Sequence, residues 1–309
     1  GEHTDGHHFT QAAMERGASC VVVSLLHYET HLHHLLTPAY CQHNGTAVVI
    51  VHDTRAAVAQ LADRFHGSPS RDLRLVGITG TNGKTTVSYL ISSVLEAAGI
   101  RSGLIGTVAY HIAGNVRPAP FTTPLAEDLH GLFAEMRDAG CDTAVMEVSS
   151  HALVLERVHG IRFDISVFTN LTQDHLDFHR SMAAYRDAKA LLFGLHTRGV
   201  GLINTDDPYA AAMSVLPARR RKTYGMKGRP TFRMRDIALR LKKATSPQFS
   251  YLLTFNTHVP VIVDQGYHHL DCQAGNVVVP EREICIMTDA WVELLQTVAD
   301  YPRRVELAI

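Results

Sequence analysis

No stretch of the sequence approaches the roughly 20 consecutive apolar residues that a bilayer span requires, so no membrane span is expected. Cysteine is sparse. Cys20, Cys41, Cys141, Cys272 and Cys285 are scattered and form no C-x-x-C pair, which reads as reduced thiols in a cytoplasmic protein. Charge of one sign is lacking too. Lys and Arg total 29 against 30 Asp and Glu, a net charge of -1, and no basic field marks a general nucleic-acid binder. The opening Gly1-Glu2-His3-Thr4-Asp5-Gly6 has neither Met nor a signal-peptide pattern, so a fragment of a longer reading frame is expected. Internal repeats and low-complexity tracts are missing as well.

The 309 residues, 46% hydrophobic, suffice for two domains or one large one with a sizeable core. Histidine is abundant, with 20 residues, and His27, His31, His33 and His34 cluster. They could form a metal site or a solvated helix face. No cysteine or carboxylate pattern completes a ligand set, which favours the solvated face.

Residues 1–70 read as a small α/β domain. Val21-Val22-Val23 and Ala47-Val48-Val49-Ile50-Val51 are strand-like runs. A helix is predicted over 56–65, capped by Asp53 or Thr54, with Val58, Leu61, Ala62 and Phe65 on its apolar face. Gly67-Ser68-Pro69-Ser70 is a breaker that sets the boundary. From there strands and helices alternate. Strands are predicted over 73–79, 143–148, 164–169 and 200–204. A helix is predicted over 84–98, with Val87, Leu90, Ile91, Val94, Leu95 and Ala98 on one face and Gly99 as its stop. The expected fold is α/β: a small N-terminal domain, then a central domain (71–301) built on a mostly parallel sheet covered by helices. In such sheets ligands gather at the carboxyl ends of the strands. Strands are also predicted over 230–240 and 249–263, and a helix over 290–298.

Gly80-Thr81-Asn82-Gly83-Lys84-Thr85-Thr86 falls between a predicted strand and a predicted helix. Glycine lets the backbone approach an anion closely, and the helix N-terminus offers free N–H groups and a positive dipole end. A lysine at Lys84 would reach the outer phosphates, and a hydroxyl at Thr85 would ligate magnesium. We read an ATP-binding phosphate loop. It is a variant, because Ile78 stands where the common spacing has its first glycine.

Two further clusters lie at predicted strand ends. Glu147-Val148-Ser149-Ser150-His151 places a carboxylate beside hydroxyls, which suits magnesium, although a strand-end surface charge would look the same. Asp174, His175, Asp177 and His179 follow the next strand as potential ligands. In Tyr185-Arg186-Asp187-Ala188-Lys189, the lysine lies on a predicted helix, and periodicity alone does not separate a functional residue from a surface charge.

Together, Gly80 to Thr86, Met146 to Leu153, Phe168 to His179 and Tyr185 to Phe193 resemble the Mur ligases, and specifically the tripeptide-synthetase branch. Asp5-Gly6-His7 with Phe9 resembles that family's first domain. The resemblance is clear up to about residue 210 and loose beyond. It implies an ATP-dependent amide ligase of peptidoglycan synthesis. Such an enzyme adds meso-diaminopimelate or L-lysine to UDP-MurNAc-L-Ala-D-Glu through an acyl phosphate. It also implies roles: Gly80, Thr81, Asn82, Gly83, Lys84, Thr85 and Thr86 on ATP; Thr85, Glu147, His175 and a carbamylated Lys189 on Mg2+; Lys84, Lys189 and His175 in catalysis. Thr122 and Thr123 (with Pro124), Ser149 and Arg157 would contact the UDP-MurNAc peptide, and Glu2, His3 and Thr4 its uridine side. A monomer is expected.

The sequence departs from the family in places. Leu155 sits where some members have a substrate-binding glutamine. Ala274-Gly275-Asn276-Val277-Val278-Val279-Pro280 and Pro302-Arg303-Arg304-Val305-Glu306 are poor matches to later motifs. Residues 302–309 read as the start of a missing C-terminal domain that would bind the incoming amino acid. Two alternatives stay open: a catalytically incomplete nucleotide- or precursor-binding fragment, and a ligase of the folylpolyglutamate or cyanophycin synthetase type.

Overall fold

The computed structural model describes residues 5–233. Expectations for Glu2, His3 and Thr4, for 249–263 and 290–298, and for the late motifs at 274–280 and 302–306 lie outside the described residues. Asp5 caps a 3-10 turn over Gly6–Phe9, which runs into α1 (Thr10–Glu15). The β-branched runs form strands as expected, and β1 (Cys20–Ser24) and β2 (Ala47–Val51) pair in parallel, but β2 is not the buried strand such a run suggests, since Val49 and Ile50 are exposed. Between them lie α2 (Leu25–His27) and α3 (Pro38–Asn44). Helix α3 carries signals at both ends: Thr37 accepts from Tyr40 N, Pro38 opens the first turn, and Gly45 closes it at φ +62°. Met14, Val21, Val23, Leu32 and Leu36 form the core of this unit. α4 (Thr54–Phe65) follows, and Asp53 is its cap, accepting from Arg55 N at 2.7 Å and Ala56 N at 3.4 Å.

A second sheet dominates the rest. In chain order its elements are β3 (Arg74–Thr79), α5 (Lys84–Ala97), β4 (Ser102–Ile105), β5 (Ala109–Ile112), β6 (Asn115–Pro118) and α6 (Ala126–Asp138). Then come β7 (Thr143–Glu147), α7 (Ser150–Val154), β8 (Phe163–Phe168), α8 (Leu176–His179), α9 (Met182–Leu195), β9 (Thr197–Asn204), α10 (Ala210–Met213), β10 (Arg221–Gly225) and β11 (Phe232–Arg233). The spatial order is β11-β10-β9-β8-β3-β7-β4-β5-β6. All pairs are parallel except β4–β5 and β5–β6, so the mostly parallel sheet expected from the alternation is present. Of the strand predicted over 230–240, the described part is β11.

The central strands β3, β7 and β8 are buried on both sides, which is why they read as continuous apolar runs rather than alternating ones. Val76, Ile78, Val145, Ile165 and Val167 pack under α5 with Val87, Ile91 and Leu95. Leu75, Ala144, Met146 and Phe163 face the other way, against α6 and α9, with Phe133, Met136, Tyr185, Leu192 and Phe193. Gly77 is bare because the Phe163 ring lies over it; a Cβ there would come within 2.8 Å of that ring. β3 has β7 on one side and β8 on the other, while the chain leaving β3 travels to β4 beyond β7. The order therefore reverses at β3, and the loop after it opens into the crevice where α/β sheets bind ligands. At the far edge, Ala113 and Gly114 both take positive φ in a two-residue turn between β5 and β6. No described helix is long and apolar enough to cross a membrane.

Of the four residues predicted for the apolar face of α4, Ala62 alone is buried. Val58, Leu61 and Phe65 are exposed, whereas Ala59 and Ala62 are buried. Helix α4 packs on α6, where small side chains permit close approach. That contact covers His130, which is 1% exposed and whose two ring nitrogens have no hydrogen-bond partner among the described residues. Asp63 Oδ1 stands 3.6 Å from its Nδ1. Burial pushes the His130 pKa below its ordinary 6.5, more than Asp63 restores it. The folded state thus holds this imidazole neutral, and its stability falls as pH drops below 6.5, where the unfolded chain takes up the proton. Thermal unfolding between about pH 8 and about pH 5 should show that loss in the parent and a flatter profile in His130→Leu. The variant should also be more stable by about 1 kcal/mol near neutrality, because two unpaired buried polar atoms are removed.

Candidate active site

The phosphate loop is built by the end of β3 and the start of α5. Gly80 has φ +150°, and a Cβ on it would lie 1.9 Å from Thr169 Oγ1, so the position admits only glycine. Gly83, at φ +82°, turns the chain into the helix. Ile78 is fully buried inside β3, which explains why no glycine is needed there. The loop is fixed to the segment after β8. Thr81 N donates to Asn170 O at 2.9 Å and Asn82 N to Asn170 Oδ1 at 3.0 Å. Asn170 Nδ2 and Thr169 Oγ1 both donate to Asn82 O, at 3.2 and 2.7 Å. Thr86 is exposed on the first turn of α5.

Two lysines meet at one carbonyl. Lys84 Nζ donates to Gly80 O and Thr81 O, both at 2.9 Å, and Lys189 Nζ donates to Gly80 O at 2.9 Å. Lys189 is 1% exposed, with its ammonium position 4.4 Å from the Tyr185 ring centroid. Burial pushes its pKa well below the ordinary lysine value, and Lys84 adds to the effect. Burial lowers the Lys84 pKa as well, against the pull of Glu147 and Asp174. Tyr185, whose hydroxyl lies 3.2 Å from Thr81 Oγ1, is pushed up to about 12 by burial. A signal for Lys189 exists in the sequence after all. Tyr185, Ala188, Lys189, Leu192 and Phe193 form one buried stripe at helical spacing, with the lysine in its middle.

Glu147 ends β7 fully buried, so it is not a surface charge. Its Oε1 accepts from Thr107 N at 3.0 Å, and its Oε2 from Thr85 Oγ1 at 3.1 Å, with Thr107 Oγ1 3.0 Å away. Gly106 leaves room for it, since a Cβ there would sit 2.5 Å from Oε1. Thr123 Oγ1 donates to Glu147 O at 2.8 Å and accepts from Ser149 N at 3.0 Å. Arg157 Nη1 donates to Thr123 O at 3.0 Å, and its guanidinium lies 5.5 Å from the Phe121 ring centroid. Ser149 Oγ also caps α7, accepting from Ala152 N at 3.1 Å. Thr107 Oγ1 also lies 3.1 Å from Thr122 Oγ1, so Thr85, Thr107, Glu147, Thr122, Thr123, Ser149 and Arg157 form one connected set. Its buried carboxylate is surrounded by neutral oxygen and nitrogen donors, and the oxygens of Thr85 and Glu147 are the donor type a hard divalent cation takes.

His175 sits elsewhere. It takes φ +50°, its Nε2 is 3.5 Å from Asp174 Oδ2, and its ring centroid is 4.9 Å from that of His151 and 6.1 Å from that of Tyr185. Among the described residues it shares no hydrogen bond with the Glu147 set. His179 is buried beside it, 2.8 Å from Ser150 Oγ, and burial lowers its pKa to about 4.

In the first unit a carboxylate does reach the histidine cluster. Asp5 Oδ1 is 2.6 Å from His7 Nδ1, and Asp5 Oδ2 is 3.2 Å from His27 Nε2. His7 Nε2 is occupied, accepting from Ser24 N at 2.9 Å. The His7 and His27 rings stack at 4.2 Å and 10°. Lone pairs in parallel planes do not converge on one ion, so this group reads as a structural cap. Donation from His7 holds Asp5 down to about 2.

A nucleotide-type loop at the switch point of a parallel sheet, with a buried lysine and a buried carboxylate on either side, defines a phosphate-loop α/β protein. The sequence pattern of the Mur ligase middle domain matches residues 78–262, and the chain belongs to the Mur ligase family. It is 48% identical over 218 residues to a UDP-N-acetylmuramoyl-L-alanyl-D-glutamate–2,6-diaminopimelate ligase of Chlorobaculum tepidum, covering 70% of this chain and 41% of that protein. A protein of the same name from Lactiplantibacillus plantarum is 43% identical over 235 residues, covering 74% and 45%. A solved structure of such a ligase superposes with a TM-score of 0.55 at 26% identity, covering 70% of this chain and 47% of that one. The chain spans less than half the length of these relatives.

Sequence reasoning gave no role to Thr107, Thr169 or Asn170. A Gly-Thr pair directly after a strand was the signal available for Thr107. Gly80→Ala should displace Thr169 and release the loop, at a cost of about 2 kcal/mol or more in unfolding free energy, together with loss of ATP affinity. Denaturant titration and calorimetry on the same protein check both.

Proposed function

We propose that this chain carries the nucleotide- and acceptor-binding parts of an ATP-dependent amide ligase of peptidoglycan synthesis, which adds a diamino acid to UDP-MurNAc-L-Ala-D-Glu. On this reading 1–70 serves the precursor and 71–301 holds the nucleotide and the D-Glu carboxylate. The names of the relatives favour 2,6-diaminopimelate as the added amino acid, and their identity favours this function over the folylpolyglutamate or cyanophycin type. The observation that carries the proposal is the meeting of Lys84 and Lys189 on Gly80 O, beside the buried Glu147.

Gly80 to Thr86 would cradle the phosphates, with Lys84 leaving the Gly80 and Thr81 carbonyls for the outer phosphate oxygens. Thr85 and Glu147 would hold magnesium, and His175 joins them on this reading only if its segment turns inward. Bound there, magnesium would neutralise charge on the transferred phosphoryl group. Thr122, Thr123, Ser149 and Arg157 would orient the acceptor, whose D-Glu carboxylate takes the γ-phosphoryl group and releases ADP. The incoming amine then attacks the acyl carbon and phosphate leaves. Lys189 is suited to carbamylation, because a buried amine held neutral can add to CO2, lose a proton and become an anion.

Calorimetry with ATP and Mg2+ should show binding that Lys84→Ala weakens by about tenfold or more. ADP release should require UDP-MurNAc-dipeptide, and repeated turnover diaminopimelate as well; equal affinity and equal release in both proteins would remove the phosphate-loop assignment. Nucleotide binding without ADP release would instead assign a binding module. A crystal structure of protein grown with bicarbonate should show carboxyl density on Lys189 Nζ, and a bare amine there would remove the carbamate.

A further inference from the structure

Between the carboxylate proposed for magnesium and the threonines proposed for the acceptor stands a single side chain, Thr107. It lies in the turn after β4 and is exposed. Its backbone N–H donates to Glu147 Oε1 at 3.0 Å, and its hydroxyl is 3.0 Å from Glu147 Oε2 and 3.1 Å from Thr122 Oγ1. One hydroxyl has one proton and two lone pairs. Thr107 Oγ1 is the donor in both contacts, so its one proton is shared between the Glu147 carboxylate and Thr122 Oγ1. What binds at one acceptor therefore decides how much of that proton the other receives. On the carboxylate's other side, Thr85 Oγ1 donates to the same Oε2. A continuous hydroxyl chain therefore links the first turn of α5 to the segment before α6, through one carboxylate.

We infer that Thr107 is a positioning residue that couples the two sites: it aims the Glu147 carboxylate and transmits the state of Thr122 to it. The inference rests on the proposed function, which supplies the two ligands. Polarisation along such a chain works in both directions. An acceptor carboxylate that takes up the Thr122 hydroxyl proton makes Thr122 Oγ1 a stronger acceptor for Thr107 and so changes how firmly Glu147 is held. A cation on Glu147 changes what Thr122 offers the acceptor. Linkage is reciprocal, so each ligand must alter the affinity of the other by the same factor. Thr123 cannot serve this role through its hydroxyl, because that hydroxyl is engaged with the Glu147 carbonyl and the Ser149 N–H.

The experiment uses the 309-residue chain, a non-hydrolysable ATP analogue with Mg2+, and UDP-MurNAc-L-Ala-D-Glu. Calorimetry gives the analogue's affinity with and without magnesium, and with and without the precursor. In the parent, the precursor should change Mg2+-analogue affinity by about fivefold or more, a usual coupling factor. Thr107→Val should reduce that factor toward one and weaken Mg2+-analogue binding by about tenfold, the scale of a lost hydrogen bond to a charge. Metal-free binding should stay unchanged, and Thr107→Ser should restore the parent values. Thr107→Ala repeats the test should the valine variant not fold. A purely structural role would lower all affinities together and leave the coupling factor intact. Coupling unchanged in the valine or alanine variant, or a serine variant no better than valine, overturns the inference and leaves the proposed function standing. A parent that binds no Mg2+-analogue overturns the proposed function itself.

Discussion

Two amines cannot both be cationic at low cost when they share one carbonyl oxygen in a buried setting, and that constraint organises this molecule. Lys84 and Lys189 each lie 2.9 Å from Gly80 O. Asp174 favours the charge on both, but Glu147 favours that of Lys84 alone, while for Lys189 the neighbouring Lys84 works against it. The pair therefore divides the labour: the loop lysine keeps its charge more readily, and the helix lysine gives its proton up. Gly80 sets the meeting point, and it holds its place because Thr169 leaves no room for a side chain. The segment after β8 thereby governs a loop more than 80 residues earlier in the sequence.

What the sequence disclosed follows from which interactions are local. The phosphate loop, the Asp53 cap and the Gly99 stop depend on neighbours along the chain, and each could be read from a few residues. The central strands β3, β7 and β8 are readable because burial on both faces makes them uniformly apolar. The face of α4 was not readable. Val58, Leu61 and Phe65 carry more hydrophobic weight than Ala59 and Ala62, yet the helix packs by its alanines, because the partner is another helix at close range. Periodicity gives the repeat of a helix but not the identity of what lies opposite.

The site divides along the same line. Glu147 and Thr85 were picked out by residue type and strand position. The histidine run was read without its carboxylate, because Asp5 and His27 meet only through folding. Thr107 and Asn170 act through contacts 40 and 88 residues distant, which no local pattern encodes. Ser149 shows why single roles mislead: one hydroxyl caps a helix, and its backbone N–H anchors Thr123.

The β6 strand has a consequence of another kind. It forms one end of the nine-stranded sheet among the described residues, with all four residues exposed. An open strand edge is a template on which another chain can add itself. Here the edge is four residues long, Pro118 has no N–H to offer, and Arg117 extends across to Glu135. Short length, an imino acid and a tethered cation are the means by which natural sheets avoid edge-to-edge aggregation. This margin of the fold is thus built to end the sheet and keep neighbouring molecules apart.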